Sequence, residues 1–275
     1  MFAAPLGTGS AGNCHFVESG STRILVDCGF GIRQTEKRLR QLGRSLEDVT
    51  AIVLTHEHHD HIRGVEKVAS KYGIPVYLTK GTRIAGGLKD AEIESVIIEN
   101  DRTFRIGDIE VHAKKVIHDA ADPACYVLEG VDGTRVGLLT DVGWIDPSVS
   151  RHLEGCDALF FESNHDLDML REGTYPWSLK RRIMSNVGHL SNDDAMRALE
   201  RVVGAETKAL CLIHLSRRNN HESIVKRMVR ELIERLGSPA IDVSISRQTE
   251  PGELIEVHRR GAVVAAPEPQ MRLFG

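Results

Sequence analysis

The sequence predicts a single layered α/β domain, and three observations carry that expectation. Continuous apolar runs bounded by polar residues recur at 51–55, 157–161 and 208–213, the pattern of strands buried on both faces. Segments with helical periodicity stand at the flanks of these runs, as helices that cover the faces of a sheet do. No internal repeat or interior linker interrupts the 275 residues, a length that one α/β domain can fill.

The elements follow in order. Residues 14–18 and 22–27 flank Ser19-Gly20-Ser21, a turn signal, and read as a hairpin. Residues 31–42 form an amphipathic helix rich in Arg and Lys. Ala51-Ile-Val-Leu-Thr55 is a buried strand, and 62–72 is a helix that Gly73 stops at its C′ position. Residues 75–79 are a strand, and 109–117, 124–129 and 135–140 continue the sheet, the last two joined through Asp132-Gly133. After the strand at 157–161, Ser191 caps a helix over 192–203, with Asp194 as a weak capping-box partner. The strand at 208–213 precedes a helix at 221–236 with Ile224, Met228, Leu232 and Leu236 on one face. From Gly261 the composition changes to GAVVAAPEPQMRLFG, which reads as an extended tail and divides the chain into a domain at 1–260 and a tail at 261–275.

Composition sets limits. With 41% hydrophobic and 27% charged residues and a net charge of −4, the chain is neither disordered nor globally basic, though a local basic patch stays open. No apolar run approaches the roughly 18 residues of a membrane span. The opening MFAAPLGTGSAGNC lacks a basic n-region and does not read as a secretory signal. The five cysteines are odd in number and form no CxxC, so a reducing, cytoplasmic setting is expected rather than a disulfide framework.

The unusual feature is histidine. Of 13, four fall in Thr55-His56-Glu57-His58-His59-Asp60-His61, at the end of a buried strand and the start of a helix. Such a cluster repels itself when protonated and offers no core packing. Neutral imidazole and carboxylate are, however, good ligands for zinc and similar divalent ions. His56 and His58 can point to one side of an extended loop, while Asp60 and His61 begin the helix and turn toward a second point.

This H-x-H-x-D-H pattern resembles the signature of the metallo-β-lactamase superfamily, and later segments match that family in order. Asp27, in Val-Asp-Cys-Gly, resembles its structural first-motif aspartate. His118, in Val-Ile-His-Asp, resembles the third motif, and Asp141, in Leu-Leu-Thr-Asp-Val-Gly, the metal-bridging carboxylate of the fourth. His214, in Leu-Ile-His-Leu-Ser, resembles the fifth. The resemblance implies a four-layer αββα sandwich and two divalent metal ions, zinc first, with manganese or iron as alternatives. It implies that His56, His58, His118 and Asp141 hold one ion and Asp60, His61, His214 and Asp141 the other. Two ions about 3.5–4 Å apart clamp the oxygens of an in-line displacement and bring the pKa of water toward about 7. An aspartate at the fourth motif resembles the phosphodiesterase and lactonase branches more than the antibiotic-hydrolysing members.

Two further segments bear on the branch. Ala158-Leu-Phe-Phe-Glu162-Ser163-Asn164 resembles the Glu-Ser-Thr motif of the β-CASP nucleases, and Val187-Gly-His189-Leu-Ser191 resembles a Gly-His segment of RNase Z and related nucleases. In those enzymes the histidine protonates the leaving oxygen and the glutamate holds it in its donor form. From the residues alone, Glu162 could equally be an ordinary strand-end carboxylate and His189 part of a helix cap. Over 7–13, 55–62, 118–123, 162–166, 175–182, 188–192 and 214–216 the chain most resembles the YycJ/WalJ-type bacterial exonucleases. No segment is free to form the tRNA-gripping arm of RNase Z or the insertion of RNase J. The resemblance implies a DNA exonuclease acting from the 5′ end in repair or replication, with Asp60, Glu162 and His189 as its catalytic group. A small-molecule metallohydrolase, such as a lactonase, thioesterase or weak β-lactamase, is the alternative, because its metals would be the same.

Substrate contacts are expected from local charge. Lys180, Arg181 and Arg182 precede His189, and Arg217 and Arg218 follow His214, so both clusters are expected to meet phosphate. Arg33, Lys37, Arg38 and Arg40 read as a solvated helix face. Tyr175 and Trp177 could stack a base or anchor the core. The loop Gly7–Asn13 leaves backbone room beside the metals, with Ser10 or Asn13 touching substrate. Finally, Gln270-Met-Arg-Leu273-Phe274 resembles the peptide by which bacterial replication and repair proteins dock on the sliding clamp. Gln270 would be its hydrogen-bonding head, and Leu273 and Phe274 its apolar anchors.

Overall fold

The structure is a computed structural model that describes residues 1–237 and 240–259. The boundary at 260 and the clamp-like segment with Gln270, Leu273 and Phe274 lie outside the described residues. One sheet holds β1 (Phe2–Gly7), β2 (Cys14–Ser19), β3 (Thr22–Val26), β4 (Ala51–Val53), β5 (Val76–Thr79) and β6 (Ser95–Ile98) in sequence order, with β14 (Ile255–Glu256) beyond β1. The other runs from β7 (Thr103–Ile106) through β8 (Ile109–Lys115), β9 (Ala124–Gly130), β10 (Arg135–Leu139), β11 (Ala158–Glu162) and β12 (Ala209–Ile213) to β13 (Asp242–Ile245). In each sheet the outer hairpin strands pair antiparallel, while β3 to β6 and β10 to β13 are parallel.

The helices are α1 (Ile32–Gln41), α2 (His59–Ile62), α3 (Val65–Tyr72), α4 (Lys80–Ala85), α5 (Pro147–Leu153), α6 (Leu167–Glu172), α7 (Trp177–Ile183), α8 (Asn192–Val202) and α9 (Glu222–Leu236). Three apolar clusters define the layers. Leu25, Ile52 and Leu78 pack under Leu39 and Val68 of α1 and α3. Val17, Ile24, Val111, Tyr126 and Phe160 fill the space between the sheets. Phe161, Leu210 and Leu212 pack against Val149, Leu199 and Val229 of α5, α8 and α9. The result is the expected four-layer αββα sandwich.

Two expectations need correction. The helix over 62–72 is in fact two, α2 and α3, broken at Gly64. The Gly64 amide donates to the Cys28 carbonyl at 2.8 Å, and any Cβ there would collide with the Phe30 carbonyl. That close approach locks the histidine motif onto the end of β3. In α9 the fully buried stripe is Val225, Val229 and Leu232, with Met228 and Leu236 only packed against it. A strict spacing of four drifts off a face whose period is 3.6 residues. The caps behave as read: Gly73 ends α3 at φ 64°, and Ser191 Oγ accepts from Asp194 N at 3.1 Å.

The parallel strands end at one level. Leu139 pairs with Phe161, Phe161 with Leu212, and Glu162 with Ile213. Asp141, Glu162 and His214 therefore emerge side by side, as ligand-binding groups do at the carboxyl ends of strands in open α/β sheets.

Candidate metal centre

The backbone at these strand ends is strained. Asp27, Asp141 and His214 have φ of 61°, 52° and 58°, and with Asp101 they are the non-glycine residues of positive φ among the described residues. Such conformations cost on the order of 1–3 kcal/mol each and cluster at functional sites.

Asp27 sits under the histidine motif. Its Oδ1 accepts from Thr55 N at 2.8 Å, and its Oδ2 accepts from Thr55 Oγ1 at 2.8 Å and from His61 Nδ1 at 2.7 Å. Thr55 Oγ1 in turn lies 2.9 Å from His56 Nδ1. His118 Nδ1 donates to the Gly188 carbonyl at 3.0 Å, and His58 Nε2 to the Asp119 carbonyl at 3.2 Å. His214 Nδ1 lies 2.9 Å from Glu162 Oε1. All five imidazoles are thus held by one ring nitrogen, and the other faces a common space.

Two of those inward nitrogens, Nε2 of His56 and of His214, are buried without a hydrogen-bond partner among the described residues. Buried polar atoms are otherwise almost always satisfied. Ligand atoms of His56, His58 and His118 lie within 4.8 Å of one another, as do those of His56, His61 and Asp141 and those of Asp60, His61 and His214. His61 Nε2 is 3.1 Å from Asp141 Oδ2, and His214 Nε2 is 3.9 Å from Asp60 Oδ2. This donor set, with outer nitrogens anchored to carbonyl, hydroxyl and carboxylate, fits divalent ions. Its mixture of nitrogen and oxygen suits zinc, manganese or iron.

Electrostatics separates the imidazoles. Burial pushes His56 well below the ordinary imidazole range. Burial opposes charge on His61 and His214 too, but Asp141 and Asp27 hold His61 well above that range. Asp141, Asp60 and Glu162 raise His214 to about 10. These carboxylates form a strongly negative socket that takes protons or cations.

Glu162 is fully buried and binds four groups. Oε1 lies 2.9 Å from Nδ1 of both His189 and His214, while Oε2 accepts from Val142 N at 3.1 Å and Leu190 N at 3.2 Å. Burial alone would raise its carboxyl, yet the charge on His189 and the two imidazole contacts hold it well below the usual range. His189 Nδ1 also lies 3.5 Å from Asp141 Oδ1, so this imidazole is at the centre and not in a remote cap.

The expected substrate contacts divide. Arg182 Nε reaches Asp119 Oδ2 at 2.5 Å, beside His58 and His118, and Arg181, Arg217, Arg218 and Ser10 are exposed. Lys180 is buried instead and donates to the Arg171 carbonyl at 2.6 Å, so its charge serves the end of α6. Asn13 is also buried: its Oδ1 accepts from Gly9 N and Thr8 Oγ1, and its Nδ2 meets Asp60 Oδ2 at 3.2 Å. It braces Asp60 from beneath the loop. Trp177 is exposed and anchors no core, and the Arg218 guanidinium stands 5.7 Å from the Tyr175 ring. Residues that sequence reasoning missed include Thr55, Asp119 and Asn164, whose Nδ2 donates to the His214 carbonyl at 2.8 Å. Adjacency to His56 and His118 was the available signal for the first two.

An αββα sandwich with a histidine–aspartate cluster at its strand ends defines a metallohydrolase. The chain belongs to the metallo-β-lactamase superfamily, and the family model for the β-lactamase superfamily domain matches residues 22–215. It is a hydrolase related to the YycJ and WalJ exonucleases. It is 38% identical over 237 residues to exodeoxyribonuclease YycJ of Bacillus anthracis, covering 84% of this chain and 89% of that one. Exodeoxyribonuclease WalJ of Streptococcus pneumoniae serotype 2 is 38% identical over 236 residues, covering 83% and 87%. Among solved structures, the metallo-β-lactamase fold protein YhfI of Bacillus subtilis superposes with a TM-score of 0.70 at 19% identity, over 91% of this chain and 98% of that one.

Proposed function

We propose that this chain is a metal-dependent phosphodiesterase that degrades DNA from the 5′ end, in repair or replication. His56, His58, His118 and Asp141 would hold one divalent ion, and Asp60, His61, His214 and Asp141 a second, with zinc the first choice. Bound there, such ions supply positive charge for the reacting phosphate and water acidic enough to attack at neutral pH.

The observation that carries this reading is the carboxylate of Glu162, shared between His214 and His189. With Nδ1–H held by Glu162, a protonated His189 has its transferable proton on Nε2, where it serves the leaving oxygen as general acid. Asp60, braced by Asn13, orients the attacking side of the centre. Arg182 and Arg217 add positive charge at the rim for the phosphate backbone. Relatives called exodeoxyribonucleases over most of their length support DNA as the substrate.

The remaining expectations form part of the same proposal. Residues 1–260 act as one catalytic domain, and the tail at 261–275 docks on the sliding clamp through Gln270, Leu273 and Phe274, which would make degradation processive. Five buried free cysteines support a reducing cytoplasmic compartment. No helix among the described residues is long and apolar enough to cross a membrane.

The test is degradation of 5′- and 3′-labelled DNA, run beside nitrocefin and a lactone. Mononucleotide release from the 5′ end is expected. Turnover of nitrocefin or lactone without DNA cleavage would overturn the reading. A peptide of residues 265–275 should bind the bacterial clamp at micromolar concentration, and the Leu273→Ala/Phe274→Ala peptide should not.

A further inference from the structure

Beside the glycine loop lies an open cavity of about 560 Å³ whose wall includes Arg38, Arg63, Arg217 and Gln248. No acidic side chain among the described residues lines it. Among the described residues, none of the three arginines has a carboxylate partner. Arg63 donates to the Ala11 carbonyl at 3.1 Å, and Arg217 is exposed. Arg38 is buried, with its guanidinium 3.9 Å from the Phe30 ring, and it donates to two backbone carbonyls, Leu6 at 2.5 Å and Gln248 at 2.9 Å. A buried cation is normally matched by an anion. Here three arginines line one hollow, and among the described residues no carboxylate pairs with any of them.

The hollow is tied to the metal centre by short stretches of chain. Arg63 follows His61 by two residues, and Arg217 follows His214 by three. The loop that lines the cavity through Ala11 touches the centre through Asn13, whose Nδ2 reaches Asp60. A second cavity of about 460 Å³, next to Thr8 and Ser216, shares Arg217 and Gln248 with the first. The segments that carry the proposed ligands His61 and His214 thus also carry two of the cavity's arginines.

We propose that Arg38, Arg63 and Arg217 form a phosphate subsite that holds a phosphate of the bound strand other than the one being cleaved. The inference rests on the nuclease reading above and adds to it where the rest of the strand is gripped. Arg38 is preset by Leu6 and Gln248 and shielded by Phe30, while Arg63 and Arg217 close from the exposed side. Guanidinium suits this role because its fork matches phosphate oxygens bidentately.

The experiment measures binding, so that it does not depend on turnover. A fluorescein-labelled, single-stranded phosphorothioate oligonucleotide is titrated onto the metal-loaded full chain, and anisotropy is followed over a range of salt. Arg63→Gln/Arg217→Gln should weaken binding at least about tenfold and lower the salt slope by about 1.4, as loss of two phosphate contacts on a single strand requires. Arg227→Gln, an exposed arginine of α9, should change neither. Unchanged binding in the double variant, or an equal loss in Arg227→Gln, overturns the subsite. Both altered arginines are exposed, and thermal unfolding verifies the fold; Arg217→Glu provides a second variant with a larger expected loss. A loss seen only with a 5′-phosphorylated oligonucleotide assigns a terminal phosphate, and a loss with either end assigns a backbone phosphate. If the wild type binds and the variants weaken it while no DNA is cleaved, the nuclease reading fails and the subsite stands. If DNA is cleaved and the variants bind normally, the subsite alone fails.

Discussion

His189 and His214 place their Nδ1 atoms at the same distance, 2.9 Å, from a single oxygen, Oε1 of Glu162. One buried carboxylate therefore orients both the proposed proton donor and a proposed metal ligand.

This sharing separates two variants. His189→Ala should retain both metals, measured by plasma emission spectroscopy, and lower turnover by about 10²–10⁴. Glu162→Gln should lower turnover and also loosen the metal proposed to bind His214, because it frees the His214 ring. Loss of metal in His189→Ala would instead place His189 among the ligands.

The Asp27 carboxylate fixes His61 and Thr55 without reaching the inward nitrogens. Asp27→Asn should weaken metal affinity by about 10–100-fold, the usual cost of losing such a support. Asp60→Ala or Asp141→Ala should remove a metal outright. Competition with a chromogenic chelator measures both effects.

Metal uptake should release protons. In the metal-free protein Asp141 and Asp27 hold His61 well above the usual imidazole range, and His214, at about 10, carries a proton at pH 7; such protons stand where a metal would bind. A metal must displace them. Apparent affinity should therefore rise with pH, by about tenfold per pH unit for each proton released. Calorimetry in buffers of different ionisation enthalpy counts those protons, and a count of zero would contradict the ligand assignment.

Acid should destabilise the fold through His165. This side chain is buried, neither ring nitrogen has a hydrogen-bond partner among the described residues, and burial depresses its pKa to about 4. Its unfolded value is near 6.5, so the folded state refuses a proton that the unfolded state accepts. The contribution is complete above pH 6.5 and is lost as pH falls toward 4, on the order of 3 kcal/mol. Urea unfolding midpoints should fall over that window in the wild type and fall less in His165→Phe.

Much of this was readable from residue order. Buried strands show as apolar runs because a strand covered on both faces has no polar side to display. The proposed ligand motifs stood out because metal binding demands rare residue types at strand ends, where no packing argument accounts for them. Short or half-exposed elements such as β6, β7 and α4 were not, because few of their residues face the core.

The sequence by itself determined the layered α/β class, and its resemblance to a known family picked out the seven proposed metal ligands and the proposed Glu162–His189 pair. Only the tertiary structure decided which charges are spent internally and which face a hollow. Lys180 sits in a basic run yet caps α6, whereas Arg38, read as part of a solvated helix face, is buried against Phe30 with no carboxylate partner among the described residues. A side chain's charge is written in the sequence, but its partners come from distant segments, and Leu6, Arg38 and Gln248 meet only when both ends of the chain close over the same sheet.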